Sequence, residues 1–224
     1  MNLQELRAQF RALAQDVEPP YFWSDEQVAL WLSQAEQQAC VRGRLLREDA
    51  DAGMCRVPLT PGRASYPLHR LAYEIIHAQI KPTGQARTRR LCLLTRELLD
   101  AEHPDWREDE RPAWALVQDE GSVRVVGRIA AGDVLHLECY RLPWHELEQD
   151  GDEPEIHVAH HERLIQWALY QAFSVVDAET LDEARAARAL AEFDRYFGLH
   201  PGRDLRRSTR HDVVHHTRPD FQWP

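Results

Sequence analysis

The chain has 224 residues, 43% apolar and 29% charged, the balance of an ordinary folded soluble protein with one large domain or two small ones. Its formal net charge of −10 argues against a body that wraps nucleic acid, which needs a basic face. No stretch approaches the ~18 apolar residues of a membrane span, and Arg7 and Arg11 sit among polar residues with no apolar run behind them, so no signal peptide is expected.

The first predicted element is a helix over residues 2–17, with Leu3, Leu6, Phe10 and Leu13 at helical spacing and Pro19 and Pro20 as its stop. A second helix lies within YFWSDEQVALWLSQAEQQACVRGRLLRED. Ser24 caps it with Gln27 in the reciprocal position, and Asp25 and Glu26 suit the positive end of its dipole. Val28, Trp31, Leu32, Ala35 and Ala39 form its buried face. Tyr21, Phe22 and Trp23 precede the cap, where aromatic rings staple a helix to its neighbours.

After Gly53 the character changes. CRVPLTPGRASYPLH, with Pro58, Pro61 and Gly62, reads as a short strand, a turn and a return through Tyr66 and Pro67. LAYEIIHAQIK and RRLCLLT are two further strands around a Pro82-Thr83-Gly84 turn, and Thr95 is placed to cap a short helix ending near Ala101. Strands are expected over 114–117, 122–128 and 134–142, separated by turns at 119–121 and 132–133. In the last of them Leu135, Leu137 and Cys139 alternate with His136, Glu138 and Tyr140, as in a strand with one buried face. Residues 144–153 read as a solvated acidic loop.

The clearest pattern is the helical hairpin of residues 154–198. Ile165, Ala168, Leu169, Ala172 and Val176 give the first helix an apolar side. Residues 177–180 interrupt it, and Thr180 with Glu183 forms a capping box that starts a second helix, with Ala186, Leu190, Phe193 and Phe197 as its stripe. Gly198 stands where a left-handed cap is expected. So short a loop makes the two helices antiparallel. The fold class that follows is α+β: an antiparallel helical bundle from both chain ends (residues 1–198), a β-rich middle inserted at about residues 55–142, and an extended C-terminal arm over 199–224.

The arm has little apolar periodicity and cannot bury enough of itself to fold alone. It carries five Arg against three Asp, plus four His, which leaves the rest of the chain near about −12. Arg203, Arg206, Arg207, Arg210, Phe221 and Trp223 are the Arg and aromatic types that dominate binding hot spots, and they mark the arm as a docking segment. Lys81 is the only lysine; a coding bias accounts for the abundance of Arg. Cys40, Cys55, Cys92 and Cys139 form no C-x-x-C and read as reduced thiols packed as small hydrophobes.

Chemical constellations are few. His157, His160 and His161 lie near one helix start at spacings that put two on one face, but the second His of an H-E-x-x-H site is absent, and a polar first turn explains them. His211, His215 and His216 repeat the pattern in the arm and read as partner contacts. The carboxylates of residues 146–155 lack the glycine and spacing of a calcium loop. No phosphate cradle or nucleophile elbow occurs. No catalytic residue, metal site or cofactor is expected.

Taken as an ordered set, several segments resemble the head-to-tail adaptor (connector) proteins of tailed double-stranded DNA phages, in particular the short-tailed type. WSDEQVALWLSQAEQQACVRGRLL resembles their early helix, and VPLTPGRASYPL their approach to the β region. LLDAEHPDW, RPAWALVQDEGSVRV and LHLECYRLP follow in the family's order, and HHERLIQWALYQAFSVVDAETLDEARAARALAEFDRYFG resembles their closing helical pair. The resemblance covers about residues 22–198; the arm matches in character only. It implies a virion structural protein at the head–tail junction, present in the host cytoplasm during assembly. It further implies a homo-oligomeric ring, usually a dodecamer, that docks by its C-terminal segments on the portal protein ring and offers its other face to a tail nozzle or tail tube protein. DNA would pass through the lumen without sequence-specific binding, and an acidic wall would let it slide. Two rivals differ in class. One is a metal hydrolase using His157, His160 and His161; the other is a nucleic-acid binder using the Arg of the arm.

Overall fold

The computed structural model describes residues 1–84, 87–176 and 180–200. In chain order the helices α1 (Leu3–Ala14) and α2 (Asp25–Gly43) come first, then strand β1 (Arg47–Glu48), the one-turn α3 (Ala52–Cys55), β2 (Arg56–Pro58), β3 (Ser65–Pro67) and β4 (Ala72–Lys81). Strands β5 (Arg89–Arg90) and β6 (Cys92–Leu93) precede α4 (Arg96–Glu102), followed by β7 (Ala115–Gln118), β8 (Ser122–Val126) and β9 (Val134–Arg141). Helices α5 (His161–Ser174) and α6 (Glu183–Phe197) close the described chain. Among the described residues this is an α+β protein with six helices and two sheets.

It divides into two compact units. The helical unit comprises Met1–Glu48, Arg70–Glu74 and the described residues from Cys139 onward; the β unit comprises Asp49–His69 and the described residues of Ile75–Glu138.

In the helical unit, α1, α2, α5 and α6 bury one apolar core that includes Leu3, Leu6, Phe10, Leu32, Leu164 and Phe193. Asn2 caps α1 in a reciprocal box with Glu5. The helix ends sooner than residue 17: Gln15 turns left-handed at φ 64° and ψ 33°. Pro19 and Pro20 therefore lie beyond the stop, and Leu13 falls on the solvent side. Helix α2 follows its sequence pattern. Ser24 and Gln27 exchange the two expected hydrogen bonds, at 2.9 and 3.2 Å, and Val28, Trp31, Leu32, Ala35 and Ala39 are buried.

Helix α5 buries Ile165, Ala168, Leu169 and Ala172 as expected, but it ends at Ser174, so Val176 leaves the stripe and is 90% exposed. On α6, Ala186, Phe193 and Phe197 are buried and Leu190 is half-buried. Its cap differs from the expected box. Asp182, not Thr180, accepts the N–H of Arg185 at 2.9 Å, and the Thr180 hydroxyl is buried without a partner among the described residues. Asp182→Ala should therefore cost about 1 kcal/mol in chemical denaturation, and Thr180→Val should cost nothing measurable. Gly198 has the positive φ of a cap, 92°, but its ψ of 165° carries the chain away from the left-handed helical region.

In the β unit, β2 and β3 are both present but do not pair with each other. β2 runs antiparallel to the start of β9 (Val57 opposite Leu135), and β3 antiparallel to β8 (Tyr66 opposite Val123). The expected strand around residues 89–95 is also divided: β5 joins β4 and β6 joins β7. The sheet orders are β1–β9–β4–β5, with β2 also on β9, and β3–β8–β7–β6. Thr95 caps α4 through the N–H of Leu98. β8 stops at Val126, two residues early, because Gly127 takes φ 100°. A Cβ there would stand 2.7 Å from the Arg111 carbonyl oxygen, so only glycine fits. Along β9 the alternation holds: Leu135, Leu137 and Cys139 are buried and their neighbours half-buried. Cys40, Cys55 and Cys139 pack inside, whereas Cys92 is exposed.

Candidate assembly surfaces

The residues singled out in the arm, Arg203, Arg206, Arg207, Arg210, Phe221 and Trp223, lie outside the described residues, as do His211, His215 and His216. The surfaces that can be built from geometry lie on the helical unit.

At one end of that unit, the segment between α1 and α2 is organised by Arg11. Its guanidinium donates to Asp16 Oδ2 (2.7 Å), to Asp25 Oδ1 (2.6 Å) and to the Trp23 carbonyl (3.1 Å), and its Cζ lies 3.6 Å from the centre of the Tyr21 ring. Asp16 in turn accepts the Phe22 N–H at 3.0 Å. A planar donor with several N–H groups is what such a convergence requires. The clamp drives Trp23 into the core, edge-on to Phe10 (5.8 Å) and Phe173 (5.7 Å), and leaves its neighbour Phe22 58% exposed. Of the three aromatic residues expected as staples, only Trp23 is buried; Tyr21 is 44% exposed.

The end of α5 and the start of α6 reach the same place. The Asp182 N–H bonds the Phe173 carbonyl at 3.1 Å. Arg185 lies 4.0 Å over the Phe173 ring and donates to the Leu13 carbonyl at 3.0 Å. Leu13, Val17, Phe22, Val175, Val176 and Leu181 are all exposed around this junction. Single exposed apolar residues are ordinary, but six on the segments that meet here make this end a candidate interaction surface. In sequence, Phe22 was read as a staple from its place before the cap, and Val176 as core from its helical spacing.

The three histidines near α5 are each committed to local structure. His157 Nδ1 accepts the N–H of Ala159 (3.2 Å), His160 Nδ1 meets the Tyr196 hydroxyl (3.1 Å), and the buried His161 donates from Nε2 to the Ile156 carbonyl (2.8 Å). Among the described residues no three His, Cys, Asp or Glu side chains gather as a metal site requires. No described helix is long and apolar enough to cross a membrane.

The acidic loop is less solvated than its composition suggested. Asp152 accepts the N–H groups of Glu148 and Gln149 (2.9 and 2.8 Å), and Asp150 pairs with Arg7. Glu155 receives both Nη groups of Arg141 and the Trp144 N–H (3.0 Å). Burial alone would raise the Glu155 carboxyl; the Arg141 fork and the Trp144 amide outweigh it and hold the group below its ordinary value. Glu146, Glu148 and Glu153 remain exposed on its rim.

A comparison with protein families finds that the model described as SU10 adaptor protein matches residues 1–215. No curated protein matches the chain.

Proposed function

Because the chain belongs to the SU10 adaptor protein family, we propose that it is a virion structural protein acting as the head-to-tail adaptor of a tailed phage. The match over residues 1–215 carries this reading, and it agrees with the resemblance drawn from the order of segments. In this proposal the copies form a ring, usually of twelve, beneath the portal. The ring extends the DNA channel, and its far face receives a tail nozzle or tube protein. Residues 1–198 are the body, with the β-rich insertion at about 55–142, and residues 199–224 are the arm that docks on the portal through Arg203, Arg206, Arg207, Arg210, Phe221 and Trp223. The exposed apolar end around Phe22 and Val176 is a second contact surface, one that would be covered on assembly. The roles found for His157, His160 and His161 favour this reading over a hydrolase.

One experiment tests it. Full-length protein, a chain lacking residues 200–224, and a Phe22→Ser/Val176→Ser variant are sedimented with portal rings. Unfolding of the two altered chains should stay within about 0.5 kcal/mol of wild type, as for changes away from the core. The truncated chain should lose portal attachment, and the double variant should assemble poorly. Normal attachment and ring formation by both would refute the proposed surfaces, and failure of the full-length chain to bind portal would refute the adaptor reading itself.

A further inference from the structure

Glu36 lies on α2 with 1% of its surface exposed. Its Oε1 accepts two backbone N–H groups, from Glu155 (2.5 Å) and Ile156 (3.2 Å), so one buried oxygen takes both amides of the segment leading into α5, whose Ile156 carbonyl is bonded by the buried His161 of α5 (2.8 Å). From β9 comes the cation Arg141, whose hydrogen bonds go to other groups. It forks onto Glu155, donates from Nε to Glu48 (3.3 Å) and reaches the Leu142 carbonyl (3.1 Å). From the loop comes the Glu155 carboxylate, and from the next turn of α2 the Cys40 thiol, which burial pushes well above its usual range. Glu48 and Glu155 thus share the one guanidinium, and among the described residues no ion pair involves Glu36, the third carboxylate.

A proton belongs on the least compensated of the three. A protonated carboxyl keeps a carbonyl oxygen with two lone pairs, enough for both amides. The ionised form makes the same bonds but leaves an unpaired charge in the core. Burial, against the pull of the two amides, pushes the Glu36 carboxyl up to about 7.

We propose that Glu36 is a proton-operated latch: protonated, it holds residues 155–156 and the approach to α5 against α2, and ionised, it lets that segment open to water. The sign follows from linkage. The closed state binds the proton more tightly than the open one, so closure is most favoured below the ordinary carboxylate range. It weakens as pH rises towards about 7 and is level above that. Opening should increase on the order of 50-fold between pH 5 and pH 8.

The test uses the full chain. Carbon-13 NMR of the Glu36 carboxyl should show a midpoint near neutrality. Hydrogen exchange at the Glu155 and Ile156 amides, corrected for its intrinsic pH dependence, should show the rise in opening. In Glu36→Gln, which keeps an acceptor but cannot ionise, that rise should vanish. A Glu36 midpoint below pH 5 would overturn the proposal whether or not the variant folds, and so would an undiminished pH dependence in Glu36→Gln.

Discussion

Replacing Phe193 by alanine should lower the stability of the helical unit by about 3–5 kcal/mol, the range for truncating a fully buried aromatic residue. The ring has no exposed surface. It packs 4.7 Å from Phe197 and 5.3 Å from Trp167, centre to centre, and the Arg42 guanidinium lies 5.1 Å above it. Truncation would leave a void lined by those rings and would remove the face on which Arg42 stacks beside its Asp194 partner. A domain keeps only about 5–15 kcal/mol in hand, so the urea midpoint should fall steeply at unchanged slope. Trp167 is only half-buried, and its truncation should cost less. A loss under about 1 kcal/mol for Phe193→Ala would mean that α6 does not bury this face.

Arg141→Ala should cost about 1–2 kcal/mol near neutral pH, less than for a fully buried pair, because Glu48 loses its cation in a mostly covered site while water reaches the exposed Glu155. Glu155 and Glu48 would lose their shared cation, and the half-covered Trp144 ring would lose a guanidinium 4.9 Å from its centre. The loss should depend on pH. Glu155 is held below its ordinary carboxyl value, so the stability it contributes is present above that value and disappears as pH falls. Denaturation at pH 7 and pH 4 should therefore show a large deficit at the higher pH and a smaller one at the lower. An equal deficit at both would assign the effect to lost packing of the Arg stem.

How much of this was legible in sequence depends on how local the cause is. The Ser24–Gln27 box, the Thr95 cap and the alternation along β9 follow from spacings of two or three residues, and all three are in the structure. Strand partners are non-local. VPLTPGRASYPL has the look of a hairpin, yet its two strands join different neighbours, which nothing within the segment specifies. At the start of α6, Thr180 and Asp182 are both chemically able to cap, and Asp182, whose own N–H bonds the distant Phe173 carbonyl, is the one that does. Val176 continues the helical period of α5 in sequence, but α5 stops two residues before it, so an apolar position became an exposed one. The Glu36 network was invisible because its members are scattered over residues 36, 48, 141 and 155. The adaptor family was legible from the order of segments, whereas the residues proposed for docking lie outside the described residues.

The Arg11 clamp bears on how this sequence can drift. With a single lysine in the chain, arginine looks interchangeable with it wherever a positive charge suffices. At position 11 the requirement is geometric. One flat group must serve two carboxylates and a carbonyl at once while lying on Tyr21. An ammonium is a point charge and cannot stack in that way. Arg11 is thus tied to the shape of the connection between α1 and α2, and through it to which aromatic residues that end of the unit shows to a partner. Lysine can replace arginine at exposed sites at little cost, but at position 11 the fold requires the guanidinium.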